Sequence, residues 1–230
     1  MKDLFGKAIL DYQTNNSPED LVTETSISEA DEMLVSYLFR TYNEMPELEQ
    51  KALQLAKGSV LDVGCGAGSH TLELQNERKL DVTAIDISAD AVKIMQQRGV
   101  KKAVEQDVFL LTEKYDTLLF LMNGIGLTGT LQGFIDFLYK AKNLLNPEGQ
   151  LLFDSSDISY LYEDSQKPQN KYFGEINYCY EYKKQKGNWF NWLYLDQGTL
   201  AHIAHQNGWD LEVIFEDGED QYLAKLTLIG

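Results

Sequence analysis

The sequence predicts an α/β fold, a parallel sheet with helices on both faces. Three observations carry that prediction. Between residues 58 and 156, short apolar runs alternate with segments of helical apolar spacing, and parallel strands need such crossover helices to bring the chain back to the same edge. The run YDTLLFLM, Tyr115 to Met122, is almost continuously apolar, as in a strand covered on both faces. The stretch VLDVGCGAGSH places three glycines, Gly64, Gly66 and Gly68, directly behind an apolar run, where the backbone has to bend sharply or admit a close neighbour.

Taken in order, the first 57 residues read as helical. Ser28, followed by Glu29, Asp31 and Glu32, predicts a capped start leading into Met33, Leu34, Tyr37 and Leu38. Pro46 suits the first turn of PELEQKALQLAK, which Gly58 closes. VLDVG is then a strand, Thr71, Leu72 and Leu74 mark a helix, and DVTAID is the second strand. Ser88 caps SADAVKIMQQR and Gly99 ends it. KKAVEQD gives a third strand and YDTLLFLM a fourth. Thr130 opens LQGFIDFLYKAKNLL, a turn falls at Asn146-Pro147-Glu148-Gly149, and QLLFD is a fifth strand.

Past residue 156 the rhythm breaks into aromatics: Tyr160, Tyr162, Tyr172, Phe173, Tyr178, Tyr180, Tyr182, Trp189, Phe190, Trp192 and Tyr194. NYCYEYKKQKGNWFNWLYL predicts two strands around a turn at Lys186-Gly187-Asn188, with Tyr178, Tyr180 and Tyr182 on one face. GTLAHIAHQNGW makes a helix ended by Gly208, and WDLEVIFED and QYLAKLTLI form a hairpin around Asp217-Gly218. One domain of four parts is expected: an N-terminal helical segment 1–57, a core 58–156, an aromatic-rich insertion 157–196, and a closing helix and hairpin 197–230.

The 230 residues carry 36 acidic and 20 basic side chains, a formal charge of -16. A polyanion has to be met by positive charge, and the densest basic clusters here are Lys101-Lys102 and Lys183-Lys184. Nucleic acid and anionic membrane are therefore disfavoured as partners. No apolar run reaches the ~20 residues that cross a bilayer, the N-terminus is a poor secretory signal, and Cys65 and Cys179 make no metal-ligand pattern. The cytoplasm is the expected location, and no metal is expected.

Three readings compete for the glycine loop. A bare turn explains one glycine and at most two. A dinucleotide cradle wants a sixth-position glycine where Ser69 stands, and a P-loop wants Gly-Lys-Ser/Thr. The third is a nucleoside cofactor with an amino-acid tail, which needs close backbone approach but carries no phosphate. Asp86, 22 residues beyond Gly64, ends the second strand where a carboxylate can accept both ribose hydroxyls. That fits a nicotinamide cofactor equally well. Asp62, a carboxylate inside an apolar strand, is costly without a partner, and a cofactor ammonium would supply one. Asp107, after the third strand, adds a polar group at the same edge.

With these residues in place, VLDVGCGAGSH, AIDIS (84–88), EQDV (105–108), YDTLLFLMNGIG (115–126) and LLNPEGQLLFD (144–154) resemble, in order and spacing, the successive motifs of the class I S-adenosylmethionine-dependent methyltransferases. The resemblance spans roughly residues 58–154 and resumes in the closing helix and hairpin. It implies a Rossmann-like, doubly wound, seven-stranded and mostly parallel sheet with an antiparallel last strand. An N-terminal helical lid and an inserted antiparallel strand pair would complete it. S-adenosyl-L-methionine is the implied cofactor. Gly64, Cys65, Gly66 and Gly68 would wrap its methionine moiety with Asp62 near the amino group. Asp86 would hold the ribose, Ile87 and Val108 would sandwich the adenine, and Asp107 would meet its exocyclic nitrogen. Asn123 would lie beside the methionine portion and face the substrate.

The position after the fourth strand reads Met122-Asn123-Gly124-Ile125, not the proline-rich motif of relatives acting on DNA or glutamine amides. A small-molecule acceptor methylated by in-line displacement is expected. The N-terminal segment and the aromatic insertion are placed to build its pocket, or the aromatic rings simply pack on the sheet. Asn123, Asp154 and Tyr12 are the candidate catalytic residues, with Asp157 a further possible base. Cys65 reads as a small loop residue rather than a nucleophile, His202 and His205 as helix-surface residues, and His70 as exposed or near the cofactor carboxylate. The competing functions are a non-catalytic binder of the same cofactor and a nicotinamide-dependent oxidoreductase.

Overall fold

The computed structural model describes residues 2–162 and 166–230, so residues 163–165 of the aromatic-rich segment lie outside the description. The elements run α1 (Leu4–Gln13), β1 (Leu21–Thr25), β2 (Asp31–Met33), α2 (Glu47–Leu55), β3 (Ser59–Val63), α3 (Ser69–Asn76), β4 (Asp81–Asp86), α4 (Ala89–Gln97), β5 (Ala103–Glu105), β6 (Tyr115–Phe120), α5 (Leu131–Leu144) and β7 (Leu145–Ser156). They continue through β8 (Glu175–Tyr182), β9 (Gln185–Lys186), β10 (Phe190–Leu193), α6 (Gln197–Gln206), β11 (Trp209–Glu216) and β12 (Gln221–Leu228). Among the described residues, no helix is long and apolar enough to cross a membrane.

The main sheet has seven strands in the order β11-β12-β7-β6-β3-β4-β5. β3, β4, β5, β6 and β7 are parallel, and β12 runs antiparallel to both of its neighbours. Central strands show why the apolar runs were continuous. Leu61 and Leu118 pack with Phe134, Phe137 and Leu138 of α5, whereas Val60 and Leu119, on the opposite face, pack with Leu48 and Leu53 of α2. The chain goes from β3 to β4 on one side and returns through β6 on the other. That reversal opens a crevice beyond the carboxyl ends of β3 and β6, where open α/β sheets take their ligands. The expected caps hold: Ser88 accepts from the Ala91 amide, Thr130 from Gly133, and Gly99 adopts φ +95°.

Three expectations need correction. The first 57 residues are helical only in part, because β1 and β2 form a hairpin there. Ser28 sits in its turn, 2.6 Å from the Thr25 hydroxyl, instead of capping a helix. Leu21-Val22-Thr23 is β-prone, and its pairing partner, β8, lies some 155 residues away (Val22 opposite Glu181) and is invisible to local spacing. The inserted strand pair is consequently part of a second, five-stranded antiparallel sheet, β10-β8-β1-β2 with β9 also on β8. Its tight turn falls at Lys183-Lys184, both with positive φ (49° and 60°), rather than at residues 186–188. Finally, the turn at residues 146–149 lies inside β7 as an irregularity, with Glu148 at φ +61°.

The strained Lys183 is tied to α1. The buried Asp11 carboxylate accepts from Lys183 Nζ at 2.8 Å, Asn16 Nδ2 at 2.9 Å and the Tyr182 hydroxyl at 3.1 Å. Burial pushes this carboxyl up, but the bonds from Lys183, Asn16 and Tyr182 prevail and hold it at about 2. A depressed folded-state pKa contributes stability above the ordinary value of about 4, lost as the pH falls through the folded value. Asp11→Asn is therefore expected to flatten the melting temperature's dependence on pH between about 4 and 2, read by thermal denaturation across that range.

Candidate active site

Gly64, Gly66 and Gly68 have φ of +71°, +53° and +80°, so each needs the freedom only glycine has at no steric cost. They do different work. A Cβ on Gly68 would lie 2.9 Å from the Met95 side chain and 3.2 Å from Val100, so this glycine lets α3 and α4 pack. A Cβ on Gly66 would touch the ring of Phe5, 3.5 Å away on α1. A Cβ on Gly64 would meet nothing within 4 Å. The loop's open side is therefore at Gly64, at the end of the central strand β3.

The second strand secures the loop. Asp86 accepts from the Gly66 amide at 3.0 Å through one oxygen and from the Ser88 amide at 2.9 Å through the other. Burial pushes its carboxyl up, with those amides opposing and Asp3 of α1 adding to the rise. Asp62 finds its partner inside the chain: its Oδ2 accepts from the Thr71 hydroxyl at 2.5 Å. Its burial is therefore offset in part within the chain, and does not by itself require a cofactor ammonium. Burial, with the nearby carboxylates of Asp62 and Asp86, pushes the Cys65 thiol up.

A buried ionic cluster that sequence spacing did not reveal stands next to the loop. His70 Nε2 lies 2.5 Å from Glu49 Oε2, and Arg40 Nη2 donates to both Glu49 oxygens at 2.9 and 3.0 Å. Burial works against the charge on His70, but the Glu49 hydrogen bond raises its pKa overall. Burial works against Glu49 in the same way, yet its partners His70 and Arg40 hold it low. Arg40 also lies over the Tyr37 ring, 3.4 Å from its centroid, while its Nε and Nη1 are buried with no partner among the described residues. His70 is thus buried, not exposed. Only the ordering of residues 35–49 around α3 brings these three groups together, and they are distant in sequence.

Beyond β6 the chain turns through Met122 and Asn123, both left-handed at φ +60° and +53°, a conformation costing roughly 1–2 kcal/mol for a side-chain-bearing residue. The turn is held by Asp154 Oδ2, which accepts from the Asn123 amide at 2.8 Å. The Asn123 side chain donates to the Leu193 carbonyl at 3.2 Å and accepts from the Ser155 hydroxyl at 3.0 Å. Asn123 faces the crevice, but both ends of its amide are engaged in holding β7 and the insertion. Burial pushes the Asp154 carboxyl up to about 7, and its Oδ1 has no partner.

These residues border a cavity of about 430 Å³. Its lining includes Met122, Asn123 and Asp154, Tyr37, Leu48 and Glu49, and Tyr160, Tyr178 and Tyr194. The rings of the aromatic insertion divide between two settings. Tyr178 and Tyr194 line the cavity with their hydroxyls 2.9 Å apart, while Tyr182 is buried against α1.

Residues 55–198, well over half of the chain, match the family model described as a methyltransferase domain. The chain is a class I S-adenosylmethionine-dependent methyltransferase. It is similar, at 41% identity and a TM-score of 0.91 over 100% of this chain and 96% of the other, to a SAM-dependent methyltransferase from Bacteroides fragilis crystallised with S-adenosyl-L-homocysteine. At 18% identity and TM-score 0.60 it shares the fold of DhpI, solved with the same ligand, over 100% of this chain and 99% of that one. It likewise shares the fold of the CcbJ methyltransferase from Streptomyces caelestis (14% identity, TM-score 0.64, covering 82% and 95%). No curated protein matches the sequence.

Other predicted residues take varied positions in the methyltransferase. Ile87 is 78% exposed beside Asp86, open to a ligand ring. Val108 is only 3% exposed and packs in the core, so it does not present the surface expected of a facing wall. Asp107 is exposed and caps the turn that follows, accepting from the Phe109 amide at 2.9 Å. Tyr12 stacks on Phe39, with centroids 4.6 Å apart, outside the cavity lining. Asp157 caps the turn at Ser159, and His202 and His205 are exposed on α6.

Proposed function

We propose that this methyltransferase holds its cofactor along the glycine loop and methylates a small molecule seated in the tyrosine-lined cavity. The observation that carries this reading is the open space at Gly64, at the end of β3, whose parallel neighbour β6 leads into the Met122-Asn123 turn that lines the cavity. S-adenosylmethionine supplies an electrophilic methyl group on a positively charged sulfur. Its nucleoside would lie toward Asp86 and Ile87, with Asp86 accepting from the ribose and Asp107 at the adenine edge. Its methionine portion would run past Gly64 and Cys65, above Asp62. The partnerless Nε and Nη1 of Arg40 are suited to the methionine carboxylate, a role no local motif signals. The acceptor atom has to approach opposite the sulfur, so the task of the protein is to position it and exclude water.

In this reading the chain works as one unit. The core holds the cofactor, residues 1–57 and the insertion close the acceptor chamber, and the last segment completes the sheet. A cavity of this size with no basic residue among its described lining suits a small molecule and not nucleic acid. Both cysteines are free, consistent with a reducing cytoplasm.

Gly64→Ala separates the cofactor reading from a purely structural one. Its methyl meets no neighbour, so the stability cost is only the ~1–2 kcal/mol of a left-handed alanine, yet it occupies the space assigned to the ligand. Calorimetry should show S-adenosylhomocysteine binding weakened at least tenfold while nicotinamide dinucleotide does not bind either protein. Parent-like affinity in Gly64→Ala would place the ligand elsewhere. Radiolabelled methyl transfer to a panel of small molecules tests the acceptor class.

A further inference from the structure

We propose that the acceptor is an amine, bound as its ammonium ion, and that Asp154 takes the proton the nitrogen must lose before it is methylated. This rests on the cavity being the acceptor chamber. The charged groups among its described lining residues are all acidic, Glu49, Asp154 and Asp220, with no Lys, Arg or His. Glu49 is already paired with Arg40 and His70. Among the described residues Asp154 is not paired with any cation: Oδ2 accepts a backbone amide and Oδ1 is buried and partnerless, on a residue 8% exposed. A buried oxygen left this way is costly, and a bound ammonium satisfies it. Tyr160, Tyr178 and Tyr194 line the same cavity and supply aromatic surface for the cation. A carboxylate acceptor would be repelled by the same walls.

The proton balance closes within the site. The ammonium N–H passes its proton to Asp154 Oδ1, leaving a nitrogen lone pair. The lone pair forms the N–CH3 bond as the C–S bond breaks, and that electron pair stays on sulfur, giving neutral S-adenosylhomocysteine and a methylated ammonium. Burial pushes the Asp154 carboxyl up toward neutrality, which brings it closer to the amine and makes it a better proton acceptor. The groups facing it are Glu49 from α2, which adds to the rise, His70 from α3 and the Asn123 amide, which oppose it, and Tyr222 from β12. Asp220 and the tyrosines Tyr178 and Tyr194 complete the chamber.

The test uses the full chain with benzylamine and phenethylamine against the matched benzyl alcohol, 2-phenylethanol and phenylacetate. Binding to the S-adenosylhomocysteine-loaded protein is followed by NMR, and transfer from S-adenosylmethionine by mass spectrometry. Amines alone should bind and be methylated, with kcat/KM falling as the pH drops below about 7, because Asp154 must be ionised. Asp154→Asn keeps an oxygen for the Asn123 amide. It should lose at least a hundredfold in amine kcat and lose that pH limb, with S-adenosylhomocysteine affinity unchanged. Methylation of alcohols but not amines, or full amine turnover in Asp154→Asn, overturns the proposal while leaving a small-molecule acceptor standing. Cofactor binding with no probe of any class bound or methylated overturns the proposal together with the acceptor chamber.

Discussion

Glu49→Ala is expected to cost about 3–5 kcal/mol of folding stability, the range for breaking a buried ion pair by removing one partner. Glu49 is 5% exposed, and its two partners, Arg40 and His70, are each 8% exposed. Without the carboxylate, Arg40 keeps a charge that has lost both its bonds, and His70 loses the group that raises its pKa. Urea denaturation measures the loss. The double variant Arg40→Met with Glu49→Leu should recover a large part of it, since well-packed apolar replacements of a buried pair are often neutral, but it should bind cofactor poorly because the guanidinium is gone. A loss below about 1 kcal/mol in Glu49→Ala would mean that water reaches the cluster and that its buried charges are not coupled.

Asp86→Ala is expected to weaken S-adenosylhomocysteine binding by about 1–3 kcal/mol, the penalty for deleting one partner of a buried charged hydrogen bond, or roughly 5- to 150-fold. Because Asp86 also holds the Gly66 and Ser88 amides, looser packing of the loop has to be told apart from a lost ribose contact. Adenosine provides that distinction. If the carboxylate accepts from the ribose, adenosine loses affinity by the same factor and methionine does not. Unchanged affinity for both would remove Asp86 from the site.

The parallel core was legible because its signals are local. Leu61 and Val60 face opposite helices, so β3 reads as an unbroken apolar run, and Ser88, Gly99, Thr130 and Gly208 punctuate the helices at their own ends. The glycine loop and Asp86 were legible because backbone approach and a strand-end carboxylate leave marks at fixed spacing. What stayed hidden depends on partners far along the chain. Leu21–Thr25 is a strand because β8 waits for it, and Arg40, Glu49 and His70 belong together only once three elements have packed. Asp62 shows the limit of arguing from burial alone: the cost of an interior carboxylate was read correctly, but Thr71 supplies a hydrogen bond to it from within the chain. The burial of Val108 was hidden for a similar reason, since its position after the third strand says nothing about which way its side chain turns.

The pairing of β1 with β8 joins a strand made near the beginning of synthesis to one made after most of the chain has emerged. The cavity lined by Tyr178 and Tyr194 lacks one wall until about four-fifths of the polypeptide is available. Shortening the protein from its front end would strip β8 of a neighbour and leave bare main-chain donors and acceptors, an invitation to self-association. Trimmed versions would then precipitate before any defect in catalysis could be seen.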